Sequence, residues 1–154
     1  MTDREHRELT FDTLDAGMTE ARRLAEVPTR TTGNYGHGQL IDHLARAMEI
    51  ATGDLAPPPV PAVVRWVGPL LRGFMTKRRM KPGFNVPEKV NEHFWSANDV
   101  PLSDAMQRLE TAYERFRTTD TLPPHPILGH YRSDQAEALQ CRHFELHLGF
   151  IVPR

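Results

Sequence analysis

The chain has 154 residues, which is enough for one domain with a hydrophobic core but too few for two, so we treat residues 1–154 as a single domain. Its formal net charge of −1 excludes an overall field that would favour nucleic acid or an anionic membrane as a partner. The single cysteine excludes an intramolecular disulfide and suits a reducing compartment, so we expect a cytoplasmic protein.

The N-terminal residues 1–6 are charged and lack the apolar core of a signal peptide, so we expect them to be mature sequence. No apolar run in the chain approaches the ~20 residues of a membrane span. Residues 9–11 are predicted to form a short extended lead-in. The first helix is predicted to begin near Thr13, a good N-cap residue with Asp15 in the first turn, and to end before Pro28.

The second helix is predicted over residues 37–51, between a turn at residues 33–36 and a stop at Gly53. Its apolar residues recur at the spacing of one helix face. His43 lies on the same stripe, one turn after Leu40, so we expect its imidazole to face the protein interior.

A proline-rich connector at residues 57–61 follows, and then an accessory amphipathic helix is predicted over residues 63–75, interrupted or kinked near Gly68 and Pro69. No acidic residue occurs between Leu55 and Pro87. The basic residues of this stretch, which we call the basic insert, are Arg65, Arg72, Lys77, Arg78, Arg79 and Lys81.

The basic insert has three interpretations. It is a solvated face packed over the protein, an anion-binding rim above a site, or an interfacial helix on a membrane, with Trp66, Leu70, Leu71, Phe74 and Met75 as its apolar side. We favour the solvated face and rank membrane contact last. Because the insert lacks interleaved aromatic residues of the nucleic-acid-binding type, we expect no nucleic acid partner.

A third main helix is predicted over residues 103–117, where the apolar stripe is the most regular in the chain. The fourth is predicted to start with Ser133 as its N-cap and to end before Pro153. No segment has a convincing strand pattern. These elements predict an all-α fold, a four-helix bundle with a long crossover and an accessory helix between its second and third helices.

Two histidines four residues apart, His143 and His147, lie on one face of the fourth predicted helix. With His43 from the second helix they offer three imidazoles to one divalent ion and leave positions open for water or substrate. A structural interpretation stays open, because a lone inward histidine is commonly just hydrogen-bonded in a core. Glu145 points away from this face and is expected to be solvent-facing or to support a ligand, and Cys141 is expected to be structural filler.

The remaining polar candidates are interpreted as structural. We expect His37 to be a solvent-facing residue of the first helical turn and Gln39 to lie on the helix surface. His125 is expected to hold the turn that leads into the fourth helix, and His93 to pack or to face solvent. For Gln39, a hydrogen bond to a metal-bound water is the alternative.

Several of these segments resemble the DinB-like metal-dependent four-helix-bundle superfamily. In that superfamily an aromatic residue, usually Trp, precedes a helix whose histidine is followed by an aliphatic residue, as in residues 33–44, GNYGHGQLIDHL. The pair His143 and His147 resembles its C-terminal helix motif. Residues 79–87, RMKPGFNVP, and residues 125–129, HPILG, resemble a bacterial branch catalogued mainly as a domain of unknown function.

The resemblance implies the bundle fold and a zinc or nickel site held by His43, His143 and His147. It also implies a hydrolase or a transferase that uses a low-molecular-weight thiol and acts on a small molecule. Tyr35 stands in place of the usual Trp, and Leu146 stands where the branch often has a further histidine.

The alternative is a non-catalytic bundle, with a structural metal or an empty site, that works through the basic insert or by forming a homodimer. An enzyme needs a path from solvent to the metal. Burial of all three histidines beneath Met48, Met106 and Phe150 would favour the non-catalytic alternative.

Overall fold

The computed structural model describes residues 5–83 and 88–154, and within these ranges the chain is mostly helical with one two-stranded sheet. In chain order the elements are α1 (Leu14–Glu26), β1 (Thr29–Thr31), α2 (His37–Thr52), α3 (Ala62–Lys77), α4 (Glu88–Phe94), α5 (Leu102–Thr118), α6 (Ser133–Leu148) and β2 (Ile151–Pro153). No helix in the described ranges has the length and apolarity needed to cross a bilayer.

The ends of α1 and α2 follow the predicted local signals. The Thr13 side chain accepts a hydrogen bond from the Ala16 backbone N–H at 3.2 Å, which caps α1 as predicted. Gly53 ends α2 with φ of 86°, a left-handed conformation that glycine adopts without a steric penalty. Its N–H donates to the Ile50 carbonyl at 3.2 Å.

One hydrophobic core is shared by α1, α2, α5 and α6. Helix α1 contributes Met18 and Leu24, and α2 contributes Leu44 and Met48, all of them fully buried. The remaining core residues on α5 and α6 include Ala105, Leu109, Tyr113, Phe116, Cys141, Phe144 and Leu148. Helix α3 contributes no residue to this core, so it is an accessory element, as predicted.

The sheet corrects the prediction of a chain without strands. Strands β1 and β2 pair antiparallel, with Arg30 opposite Val152. The fourth predicted helix accordingly ends at Leu148, well before Pro153. Strands of three residues are too short to show an alternating pattern, and the two strands lie far apart in the sequence, so no local pattern indicated them.

Two further differences concern helix starts. Arg132, not Ser133, is the N-cap residue of α6, and the Gln135 side chain accepts a hydrogen bond from the Arg132 backbone N–H at 3.1 Å.

Helix α4 was not predicted. Residues 84–87, part of the pattern 79–87 used for the resemblance, lie outside the described residues.

An interruption or a kink was predicted near Gly68 and Pro69, and helix α3 continues through Pro69 without an interruption. It lies against α6 and against the loop before α6. At Gly68 a Cβ atom would clash with the carbonyl oxygen of Ile127, so this close approach requires glycine.

Candidate metal centre

Three imidazoles converge where α2 faces α6. One ring nitrogen from each of His43, His143 and His147 lies within 4.8 Å of the others. The closest pair is Nε2 of His43 and Nε2 of His143, which are 2.9 Å apart. The structure therefore brings together the three histidines that the sequence singled out.

The helices explain this convergence. His143 and His147 are one turn apart on α6, and His43 occupies the inward face of α2 among fully buried apolar residues. His43 and His147 are buried, whereas His143 is only partly buried. His143 is therefore the least buried residue of the three, although burial still acts on its imidazole.

A hydrogen bond sets the orientation and tautomer of His43. Its Nδ1 lies 3.1 Å from the carbonyl oxygen of Phe94, the last residue of α4. A carbonyl oxygen only accepts, so Nδ1 carries the proton and Nε2 of the neutral ring keeps a lone pair directed at His143. Backbone carbonyls commonly orient metal-binding histidines in this way.

An aromatic stack covers the face of His43. The Trp95 ring lies parallel to the His43 ring with centroids 3.9 Å apart, and Tyr35 stacks on Trp95 at 3.6 Å. The side chain of Asn91 donates a hydrogen bond to the Tyr35 hydroxyl at 3.2 Å. The sequence did not indicate this role for Trp95, although the aromatic pair Phe94 and Trp95 was a visible signal.

The electrostatics of the cluster favour neutral rings. Burial lowers the pKa of His43 to about 4. Burial lowers the pKa values of His143 and His147 well below the ordinary histidine range, and repulsion from His43 lowers them further. At neutral pH the three rings are therefore uncharged, which is the protonation state that binds metal.

The residues fit a divalent ion in two further respects. Two imidazole nitrogens bound to one ion at ~2.0–2.1 Å lie about 2.9 Å apart at a right angle and about 3.3 Å apart at the tetrahedral angle. The observed separation between His43 and His143 is 2.9 Å, whereas the three nitrogen atoms together lie within 4.8 Å of one another. Two ligands of one ion are at most about 4.2 Å apart, so a pair separated by 4.8 Å would have to move closer on binding. Nδ1 of His147 is buried and has no hydrogen-bond partner among the described residues, so the cluster is not satisfied by the protein alone.

Glu145 does not belong to this cluster. Its Oε1 accepts a hydrogen bond from the Phe11 backbone N–H at 2.7 Å and pairs with Arg142 at 2.8 Å. The prediction that Glu145 points away from the histidine face is consistent with these contacts, but solvent exposure was wrong, because the residue is fully buried. The N-terminal lead-in covers it, and this coverage has no local sequence signal.

Two polar residues at the start of α2 make contacts that the sequence did not indicate. His37 is partly buried and its Nδ1 lies 3.0 Å from the Thr29 hydroxyl, so it is not solvent-facing. The Gln39 side chain accepts a hydrogen bond from the Gly36 N–H and donates one to the Ser96 carbonyl. Gln39 thereby ties α2 to the segment that follows Trp95.

Two structural predictions agree with the contacts. Nδ1 of His125 accepts hydrogen bonds from the backbone N–H groups of Ile127 and Leu128 at 3.1 and 3.0 Å, so His125 holds the loop before α6. Cys141 is buried, and burial raises the pKa of its thiol to about 11. A protonated, buried thiol is a poor nucleophile.

A cleft of about 500 Å³ lies beside the cluster. Tyr35, Gln39, Arg46 and Trp95 contribute to its lining. Trp95 is thus shared between the wall of the cleft and the stack on His43, whereas none of the three histidines lines the cleft.

Comparison with known proteins identifies a family without assigning an activity. No curated protein and no solved structure matches the chain. The sequence profile of the family described as "Protein of unknown function (DUF1569)" matches residues 3–154. Since this match spans nearly the whole chain, the protein belongs to the DUF1569 family.

Proposed function

We propose that this protein is a cytoplasmic enzyme that holds one divalent ion, zinc or nickel, through His43, His143 and His147. In this proposal α1, α2, α5 and α6 form a four-helix bundle of the DinB-like kind, as a single domain. The reaction is hydrolysis of a small molecule or transfer of a low-molecular-weight thiol to it. The observation that carries the proposal is the convergence of three imidazoles with nitrogen atoms within 4.8 Å of one another.

The state of the imidazoles supports metal binding over a purely structural cluster. Nδ1 of His147 is one of six buried side-chain atoms without a partner among the described residues, and a bound ion is one way to satisfy it. The carbonyl of Phe94 holds His43 in the tautomer whose Nε2 faces the cluster. All three rings have lowered pKa values, so an ion competes with few protons at neutral pH.

Three protein ligands leave a coordination position for water or substrate, and this feature favours catalysis. A divalent ion at such a site lowers the pKa of a bound water or thiol. The chain's own residues would supply the rest. His43 is oriented by Phe94, Trp95 limits the access of water to one face of His43, and His143 is the least buried residue of the three.

Hydrolysis and thiol transfer differ in their nucleophile, which is water in the first reaction and a thiol in the second. Cys141 is buried and its thiol pKa is raised to about 11, so a thiol nucleophile would have to come from a bound small molecule. The cleft of about 500 Å³ beside Trp95 is large enough for a small substrate or cosubstrate.

The second candidate function is a non-catalytic bundle that binds a partner or forms a homodimer through the region of the basic insert. One observation favours it. The exposed large apolar side chains of the described residues all lie on α3. In that case the histidines hold a structural ion or none.

Metal content tests the proposed site. Protein purified without chelator or affinity tag, and then loaded with zinc or nickel, should hold one equivalent by elemental analysis. His43→Ala, His143→Ala and His147→Ala should each lose it, because two imidazoles bind far more weakly than three. His130→Ala is the matched control, since His130 is exposed and lies outside the cluster. A wild-type protein that cannot be loaded would overturn the site.

Activity screening separates the candidates. Metal-loaded protein is tested on a panel of esters and amides, and separately on low-molecular-weight thiols with electrophiles, with His143→Ala as the blank. Turnover without thiol identifies a hydrolase, and turnover that requires thiol identifies a transferase. If stoichiometric metal is present and neither panel reacts, the non-catalytic candidate is favoured.

A further inference from the structure

Helix α3 has its packing face and its apolar face on opposite sides. Gly68 and Thr76 are buried, and a Cβ at Gly68 would clash with the carbonyl oxygen of Ile127. The side of α3 that contacts the protein carries these two buried residues together with the partly buried Pro69, Arg72 and Met75. This arrangement is the reverse of an ordinary surface helix, which turns its apolar side inward.

The outward face of α3 is almost entirely apolar. Trp66 is 88 % exposed and Leu70 is 84 % exposed. The other exposed large apolar side chains on this helix are Val63, Val64, Val67, Leu71 and Phe74. Scattered exposed apolar residues are normal, but seven on one helix form a continuous patch of the kind that marks an interaction surface.

Positive charge borders this patch at its C-terminal end. Lys77, Arg78 and Lys81 are exposed there, and the guanidinium of Arg78 lies 4.9 Å from the centre of the Phe74 ring. Arg79 is turned back toward the protein, where it donates a hydrogen bond to Thr10. No acidic residue occurs in the sequence between positions 55 and 87, so no carboxylate of this segment offsets these charges.

We propose that the outward face of α3 binds the surface of an anionic lipid bilayer. The side chains around Trp66 and Leu70 enter the boundary between headgroups and acyl chains, and Lys77, Arg78 and Lys81 contact lipid phosphates. An amphipathic helix with aromatic and aliphatic side chains on one side and cations at its border is suited to this position. The protein lies on the membrane and does not span it.

Charge favours a lipid surface over a second copy of the chain as the occupant. Two α3 helices packed face to face would bury their apolar sides but would bring basic ends against a segment that contains no carboxylate. An anionic bilayer supplies both an apolar layer and negative charge. The formal net charge of −1 does not oppose this, because the acidic residues lie outside the segment that would touch the lipid.

This inference departs from the ranking based on sequence, which placed membrane contact last. The apolar residues of α3 were visible in the sequence, but their exposure was not. The inference does not depend on the histidine cluster.

Vesicle binding tests the inference. The chain has two tryptophans, so Trp95→Phe leaves Trp66 as the single reporter. With vesicles of phosphatidylcholine and phosphatidylglycerol, the protein should co-sediment and its Trp66 emission should shift to shorter wavelength. With phosphatidylcholine alone, we expect binding to be at least about tenfold weaker, because the cations then lack anionic partners.

Two variants and one control define the surface, all measured by sedimentation of otherwise wild-type chain. Trp66→Ser with Leu70→Ser removes apolar contacts, and Lys77→Gln with Arg78→Gln and Lys81→Gln removes charge. Each should weaken binding by about tenfold or more. Arg115→Gln with Arg117→Gln and Arg154→Gln, at exposed positions outside α3, removes the same number of charges and should bind normally.

Several outcomes would overturn the inference. One is failure of the wild-type chain to sediment with anionic vesicles, and another is sedimentation that the Trp66 and Leu70 substitutions leave unchanged. A dimer in solution that those substitutions dissociate, without vesicle binding, would identify a second copy as the occupant. Far-UV circular dichroism confirms that each variant folds.

Discussion

The histidine cluster and the outward face of α3 depart from the usual arrangement of polar and apolar residues in opposite ways. At the cluster, three polar side chains lie inside the protein, and on α3 seven apolar side chains lie outside. The cost of burying the histidines is partly offset within the chain, because the imidazoles are neutral and His43 is hydrogen-bonded. The apolar side chains of α3 are not covered by anything in the described part of the chain. Each region thus lacks something that a second molecule can supply.

The largest effect should come from a buried charge outside both regions. Glu145→Ala leaves Arg142 without its carboxylate and frees the Phe11 N–H, so we expect a loss of about 3 kcal/mol in unfolding free energy. Urea denaturation measures this loss. Metal stoichiometry should be unchanged, because Glu145 faces away from the cluster.

Glu114→Ala on the exposed side of α5 is the matched control and should change stability by less than about 0.5 kcal/mol. A loss of metal in Glu145→Ala would contradict the separation between the charge pair and the cluster.

The second largest effect should come from acid, which should lower the unfolding free energy of the protein. His125 has a folded pKa of about 4, below the ordinary value of 6.5, so the unfolded chain binds more protons between these values. Stability is therefore highest above pH 6.5 and falls as the pH drops toward 4. His125 alone should contribute about 2 kcal/mol of this loss between pH 7 and pH 5.

His125→Asn should flatten this dependence while its side-chain oxygen can still accept one backbone N–H. Urea midpoints at pH 7 and pH 5, measured with chelator present, provide the comparison. Equal pH slopes for wild type and variant would exclude His125 as a source of the effect.

A smaller effect should follow from removing the stack on His43. Trp95→Leu loses the parallel contact at 3.9 Å, and we expect metal affinity to fall about fivefold, equivalent to roughly 1 kcal/mol. Titration calorimetry with zinc measures the affinity. Trp66→Leu should not alter the metal affinity, since Trp66 lies on the outward face of α3. An equal loss of affinity in both variants would contradict the separation between the histidine cluster and α3.

The smallest effect should come from the surface of α3. Trp66→Gln and Leu70→Gln should each change the unfolding free energy by less than about 0.5 kcal/mol, because both side chains are already in water. Thermal denaturation without lipid measures this change. A large destabilisation would show that the outward face is packed within the chain, which would remove the contrast with the histidine cluster.

Local sequence signals predicted the parts of the fold that depend on neighbouring residues. The cap at Thr13 and the stop at Gly53 were correctly placed because both act within one helical turn. The three histidines were selected because a spacing of four places two imidazoles on one helix face. Strand β1, helix α4 and the buried position of Glu145 were missed, because each depends on a segment distant in sequence.

By itself the sequence determined a mostly helical chain, the positions of its long helices and the histidines that face inward. Helical periodicity and helix caps are local properties, because residues close together in the sequence determine them. Only the tertiary structure decided that His43 meets His143, that Trp95 covers the site and that α3 turns its apolar side outward. These features depend on which surfaces of the helices pack together. The free energy that stabilises this packing is distributed over many contacts between segments that are distant in the sequence.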